Sequence, residues 1–363
     1  MRQHLLKAKD FFHRYERHLT SAAFAIGFVI DVLTFANVNL TIIILIFAIH
    51  LVIAGGSMFI IHLIESRPLQ GLLVERLRSF SLVASYFSFG ALASGFFTFY
   101  SLSGPIVTSW PFLIFAFTFF AGNEWLTSYR SRLAFQMSIF FFALFSFSIL
   151  VTPLILRSIG PMVFILSGLA SLVVFFLFLA LFWLIGPKRF HESKMSIIQS
   201  ATTIFLLVII FYFGQVIPPV PLSLKAIGVY HSVTRTGDTY LLSGELHPWY
   251  QELFSPTTAH ILPGEPVYVF SSVFTPVAIT TDIVHRWERY DNDTNAWVAS
   301  TVVRFPVFGG RDGGYRGYSF KKDLTPGRWR VDVETPGGLL IGRVNFTVVS
   351  ASVSVPLQEK ALY

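Results

Sequence analysis

Asp31 and His50 are the two side chains whose surroundings most narrow their chemistry, because each interrupts an otherwise apolar run. An ionised carboxylate in the middle of such a run costs about 3 kcal/mol to insert into hydrocarbon and calls for a partner. Counted from the turn near Asn39, the two residues stand at similar depth, offset by about 5 Å at a rise of 1.5 Å per residue. Three readings fit: a proton or ion relay, a buried pair that fixes a helix hairpin, or a protonated Asp31 bonded to a neighbouring backbone. A relay needs a chain of groups across the bilayer, and the sequence places no third or fourth charge at that depth.

Asn123 and Glu124 form a second polar group, closing an apolar run beside Trp125 and followed by Arg130 and Arg132; an ion pair at a membrane surface accounts for them. A third set is Tyr315, Arg316, Tyr318, Arg328 and Arg330. On paired strands these would make an Arg and Tyr surface of the kind enriched in recognition, or else a solvated face balanced by Asp332 and Glu334. The run from Gly309 to Arg316 could cradle an anion with backbone N–H groups, but its flanks read as strands, which favours a hairpin tip.

No serine lies in G-x-S-x-G, no histidine has a second one at H-x-x-x-H spacing, and there is no cysteine. No catalytic residue, metal ligand or cofactor is therefore assigned. The net charge of +7 does not mark a polyanion site either. Before Pro221 there are 14 basic and 7 acidic residues and after it 13 of each, so the excess belongs to the apolar half and no nucleic-acid partner is expected.

The elements that must position these residues fall into two halves. With 53% hydrophobic and 13% charged residues, the chain has a lipid-embedded balance, and its lipid partner is a bilayer. Seven apolar runs extend from Thr20 to Asn37, Leu40 to Leu63, Phe80 to Tyr100, Ile106 to Ala121, Leu133 to Val151, Met162 to Ile185 and Ile197 to Val216. Each is near the roughly 20 residues that cross a bilayer as a helix. The N-terminal tail and the second, fourth and sixth links hold thirteen Lys and Arg, and the first, third and fifth hold one, Arg157. The positive-inside rule then puts the N-terminus in the cytoplasm and, after seven crossings, the C-terminal part outside. Ala84, Ser88, Ala91 and Gly95, with Gly90 and Ser94, have the small-residue spacing that lets a neighbouring helix approach closely.

Prolines 218, 219 and 221 mark a boundary, and from Tyr230 the period falls to two. Strands are predicted at Tyr240 to Leu246, Val267 to Phe274, Asp282 to Tyr290, Trp297 to Phe305 and Tyr315 to Lys321. Two more, around 328–334 and 340–348, are joined by a hairpin at Thr335-Pro336-Gly337-Gly338. Trp287 and Trp329 are the candidate core anchors, with Trp297 and Trp249 behind them. The expected organisation is a basic tail (1–19), a seven-helix transmembrane domain (20–217), a Pro-rich linker (218–229) and an antiparallel immunoglobulin-like β-sandwich (230–363).

The strings GFVIDVLTF, FYSLSG, AGNEW, IPPVPLSLK, IVHRWERYD, GGYRGYS and PGRWRVDVET occur in that order. In this the chain resembles bacterial multi-pass membrane proteins that carry a C-terminal domain of unknown function 2914. The resemblance implies an inner-membrane location with the outer domain in the periplasm, and it assigns no activity. Two readings stay open: a periplasmic domain that binds a protein or glycan partner, or a transporter or membrane-embedded enzyme built on Asp31 and His50.

Overall fold

A computed structural model describes residues 19–29, 40–67, 71–102, 109–116, 118, 133–217, 221–237, 239–245, 257–274, 280–308 and 314–362. Asp31, Asn123, Glu124, Trp249, the basic tail and the glycine-rich tip at 309–313 lie outside them. The chain divides near residue 217 into a helical unit and a β unit.

Seven helical segments among the described residues fall on the seven apolar runs: α1 (Leu19–Val29), α2 (Leu40–Ser66), α3 (Leu72–Leu102), α4 (109–116), α5 (Leu133–Leu156), α6 (Pro161–Ile185) and α7 (Pro187–Phe213). Five of them, α2, α3, α5, α6 and α7, are long and apolar enough to cross a membrane. α3 and α7 begin about a turn or more before their apolar runs. Charged residues such as Glu75, Lys188 and Arg189 are good helix formers, and Pro187 opens α7 at the one position where a missing N–H costs nothing.

α5 is the most buried of the five, and phenylalanines fill its surroundings: Phe141 meets Phe175 with ring centroids 4.8 Å apart, Phe140 meets Phe178 at 4.6 Å and Phe145 meets Phe205 at 5.5 Å. α1 crosses α3 where glycine removes the obstruction. A Cβ on Gly27 would strike the carbonyl oxygen of Phe87, and one on Gly90 that of Phe24. The small-residue spacing read on α3 thus serves an intramolecular helix crossing.

Among the described residues the β unit holds eleven strands: β1 (Ser223–Tyr230), β2 (Ser232–Thr236), β3 (Thr239–Glu245), β4 (Thr257–Ile261), β5 (Val267–Phe274), β6 (Thr280–Asp291), β7 (Ala296–Phe308), β8 (Tyr315–Lys321), β9 (Gly327–Glu334), β10 (Leu340–Ser350) and β11 (Leu357–Leu362). They form three sheets, ordered β1-β5-β8, β4-β10-β9-β6-β7 and β11-β3-β2. The first lies in the middle. Its Val267 and Val269 pack against Trp287, Trp329, Val331, Phe346 and Val348 of the five-stranded sheet. Its other face offers Phe270 to Val233, Tyr240 and Leu242 of the small sheet. Trp287 is fully buried and Trp329 nearly so, the anchoring role expected of both.

Two expectations are corrected here. β4 runs parallel to β10, so the unit is mixed and not wholly antiparallel; five strands intervene between the two, which leaves either direction open. β1 occupies Ser223–Tyr230, residues expected to end a linker, and pairs along its length with β5. Four strands, β1, β2, β4 and β11, had no expectation. The hairpin at 335–338 is present: Gly338 N–H donates to Thr335 O at 2.9 Å, and Gly338 has φ 82°, which suits glycine.

Candidate binding face of the five-stranded sheet

β9 alternates strictly, with Trp329, Val331 and Val333 turned inward and Arg328, Arg330, Asp332 and Glu334 outward. Register carries that alternation across the sheet. Arg286 of β6 lies opposite Asp332 and Glu288 opposite Arg330, while on β10 Arg343 lies opposite Asp332 and Asn345 opposite Arg330. On β7, Val302 faces Arg286, Arg304 faces Val284 and Trp297 faces Tyr290. The outer face is thus a charged ladder that ends in two aromatic rings.

Each inner carboxylate has an arginine. Arg343 forks onto Asp332, Nε to Oδ1 at 2.5 Å and Nη2 to Oδ2 at 2.6 Å. Arg286 donates from Nε and Nη2 to Glu334 Oε1 at 2.9 and 2.6 Å, and Arg330 donates from Nε to Glu288. These hydrogen bonds hold the Arg343 and Arg286 guanidiniums above their ordinary range. The carboxylate side chains are 9–12% exposed and their arginines 18–37%, so the anions lie beneath a guanidinium layer. Such charge-assisted, partly buried forks hold the arginine stems in place.

Two arginines also lie on rings. The Arg328 guanidinium sits 3.6 Å from the centroid of Tyr290, and that of Arg330 sits 4.5 Å from Trp297. Tyr290 and Trp297 meet edge to face at 5.2 Å, and Tyr290 OH donates to Asn295 Oδ1 at 3.2 Å in the hairpin tip. Trp297, a candidate for the core, belongs instead to this outer face.

The five expected recognition residues are split by topology. β8 pairs with β5 and β9 with β6 and β10, so Tyr315, Arg316 and Tyr318 belong to a different sheet from Arg328 and Arg330. A single Arg and Tyr surface built from all five does not form. Tyr315 packs inward on the core around Ile283 and Val307, Arg316 donates from Nη1 to Leu362 O at 3.3 Å, and Tyr318 joins Tyr268 in an outward aromatic pair with centroids 6.0 Å apart. Arg286 and Arg343 were not singled out from sequence. The alternation of Arg286, Glu288 and Tyr290 within HRWERY is the signal that would have found the first.

Inside the same strand, His285 is fully buried. Its Nε2 lies 2.8 Å from Ser271 Oγ and its Nδ1 2.8 Å from Ser319 Oγ, which accepts from Trp287 Nε1 at 2.9 Å. All three groups are satisfied when Ser319 donates to Nδ1 and Nε2–H donates to Ser271, a neutral imidazole. Burial pushes its pKa down to about 3. The arrangement knits three strands together and presents no open position for a reactant.

A further polar hub joins elements distant in sequence. His231 lies between β1 and β2, with Nδ1 2.8 Å from Glu265 Oε1 and Nε2 3.0 Å from Glu245 Oε1. Glu245 also accepts from the His260 N–H at 2.6 Å and lies 2.8 Å from His260 Nδ1. Burial raises the Glu245 pKa, but these hydrogen bonds outweigh it and hold the carboxyl below its ordinary range. Among the described residues no group of three or more His, Asp or Glu has metal-holding geometry. In the helical unit, His50 Nδ1 lies 3.4 Å from Ser88 Oγ and its ring lies beside Phe87.

No curated protein matches the chain. Solved structures similar to it include a β-glucosidase from Listeria innocua in complex with gluconolactone, at 13% identity over 33% of this chain and 17% of that one, with a TM-score of 0.19. Another is the alkylpurine DNA glycosylase AlkC from Pseudomonas fluorescens bound to DNA containing an abasic-site analogue, at 12% identity over 84% of this chain and 98% of that one, also with a TM-score of 0.19. At those scores neither bears on fold or function. Residues 280–348, from β6 through most of β10 and so including most of the outer-face ladder, match the family described as Protein of unknown function (DUF2914).

Proposed function

We propose that this is a bacterial inner-membrane protein with its N-terminus in the cytoplasm, whose immunoglobulin-like β unit stands in the periplasm and binds a protein or glycan partner. The observation that carries the binding reading is the outer face of the five-stranded sheet. There, ion pairs and aromatic rings hold arginines in place at a surface, so little side-chain entropy remains to be lost on docking. Five membrane-length apolar helices and the thirteen-to-one distribution of basic residues support the orientation. The alternative relay reading rests on Asp31, which lies outside the described residues, while the His50 ring meets Ser88 and Phe87.

Two measurements test this. A phosphatase reporter fused after Tyr363 is expected to be active in the periplasm, and activity confined to a cytosolic reporter would overturn the orientation. A photoreactive residue at exposed Asn345, irradiated in intact membranes, is expected to give a discrete adduct that is lost in Arg330→Glu; no adduct at all removes this face as the docking surface.

A further inference from the structure

Resting on that outer-face reading, we infer that the partner is a protein and that it docks an acidic, extended segment across Arg328 and Arg304. Five arginines from four strands stand on this face: Arg286, Arg304, Arg328, Arg330 and Arg343. Three are answered by the carboxylates beneath them. Arg328 and Arg304 are exposed and, among the described residues, have no carboxylate within ion-pair distance. Exposed Asp282, at the far end of β6, and the hairpin-tip aspartates are the remaining anions nearby. Of the latter, Asp291 is already engaged by the Asp293 N–H at 3.2 Å and the Thr294 hydroxyl at 2.8 Å. The solvent side of the ladder is therefore cationic over buried counter-charge.

Arg328 is also prepared for an anion. Tyr290 covers one face of its guanidinium at 3.6 Å, which fixes the plane while leaving the N–H edges without an acceptor among the described residues. A planar fork held in that way accepts a carboxylate through two parallel hydrogen bonds, a geometry lysine cannot offer. Trp297, Tyr290 and two arginines grouped at one end of a sheet are the residue types that dominate the energetics of protein partners. That composition favours a peptide over a glycan as the source of the carboxylates.

The test uses the full chain in uncharged detergent micelles, with a fluorescent deca-glutamate peptide, a deca-glutamine peptide and a galacturonate decamer as probes. Deca-glutamate binding is expected to weaken about tenfold in Arg328→Gln, further in Arg328→Gln/Arg304→Gln, and not at all in Arg235→Gln on β2; added salt should shrink the Arg328-dependent part. Unchanged deca-glutamate binding in the double variant overturns the inference, as does equal loss with Arg235→Gln. Galacturonate binding at or above the affinity of deca-glutamate, with the same dependence on Arg328, also overturns it. In that case the Asn345 crosslink persists and the face still binds a partner, now a glycan; loss of the crosslink as well marks failure of the face itself.

Discussion

β6 carries two polar systems on its two faces, and they solve opposite problems. His285, Ser271, Ser319 and Trp287 lie where charge cannot be hydrated, so the network is neutral and every atom in it finds a partner. One residue along, Arg286 and Glu288 point the other way, where Glu334 and Arg330 meet them in ion pairs and water reaches the guanidiniums. Alternation at period two therefore sorts side chains by whether they must be neutral or can be charged, and only the second face has groups to spare for a partner.

The largest expected effect comes from emptying the neutral side. Trp287→Ala removes the biggest fully buried side chain and leaves Ser319 without its donor, at a cost of about 3–5 kcal/mol; loss of the β-unit transition in denaturant unfolding followed by tryptophan fluorescence would show it. His285 gives the next effect, through pH. Its folded pKa, about 3, lies below the ordinary 6.5, so the unfolded chain takes up the proton first. Stability is then full above about pH 6.5 and falls as pH drops toward 3, and Glu245, also depressed, adds a loss in the same direction as pH falls through the carboxylate range. The unfolding midpoint measured across that window should slope steeply, and His285→Gln should flatten its upper part.

A smaller effect is expected on the charged side. Asp332→Ala leaves Arg343 without its fork partner in a half-buried setting and should cost about 1–3 kcal/mol, with much of the loss recovered in Asp332→Ala/Arg343→Ala. If the double variant is no better than the single, the ladder is not the paired system described. The smallest effect belongs to Arg328→Gln, expected within about 0.5 kcal/mol of the parent in the same assay because the residue is exposed and its Tyr290 contact is partly solvated. A large loss there would turn the free end of the ladder into a structural element.

Legibility in the sequence followed the strength of local pattern. β5 and β8 appear with the bounds expected, and β6, β7, β9 and β10 within a few residues; on β6 and β9 one face packs into the core and the other carries the charged ladder, whereas β5, in the middle sheet, is an apolar and serine run buried on both faces. β1, β2 and β11 lack a clean alternation: β1 is half-buried along nearly all its length, β2 holds one buried residue and β11 none. β4 is short and holds its place by pairing with β10, whose partner residues lie 89 positions further along the chain. The hub of His231, Glu245, His260 and Glu265 was invisible for the same reason, since four loops and strand ends bring it together.

Local chemistry was enough to determine the apolar helices, their basic flanks, the period-two strands and the inward tryptophans, because hydrophobic periodicity and turn residues act over a few positions. Which strands became neighbours depended on closing long loops so that two apolar faces could meet. That choice put Arg316 and Tyr318 on one sheet and Arg328 and Arg330 on another, laid Arg328 on Tyr290, and gave Glu288, Asp332 and Glu334 each its own guanidinium. A charged side chain takes its role from whatever stands across the strand, and that is settled by register between distant segments, not by the residues beside it in sequence.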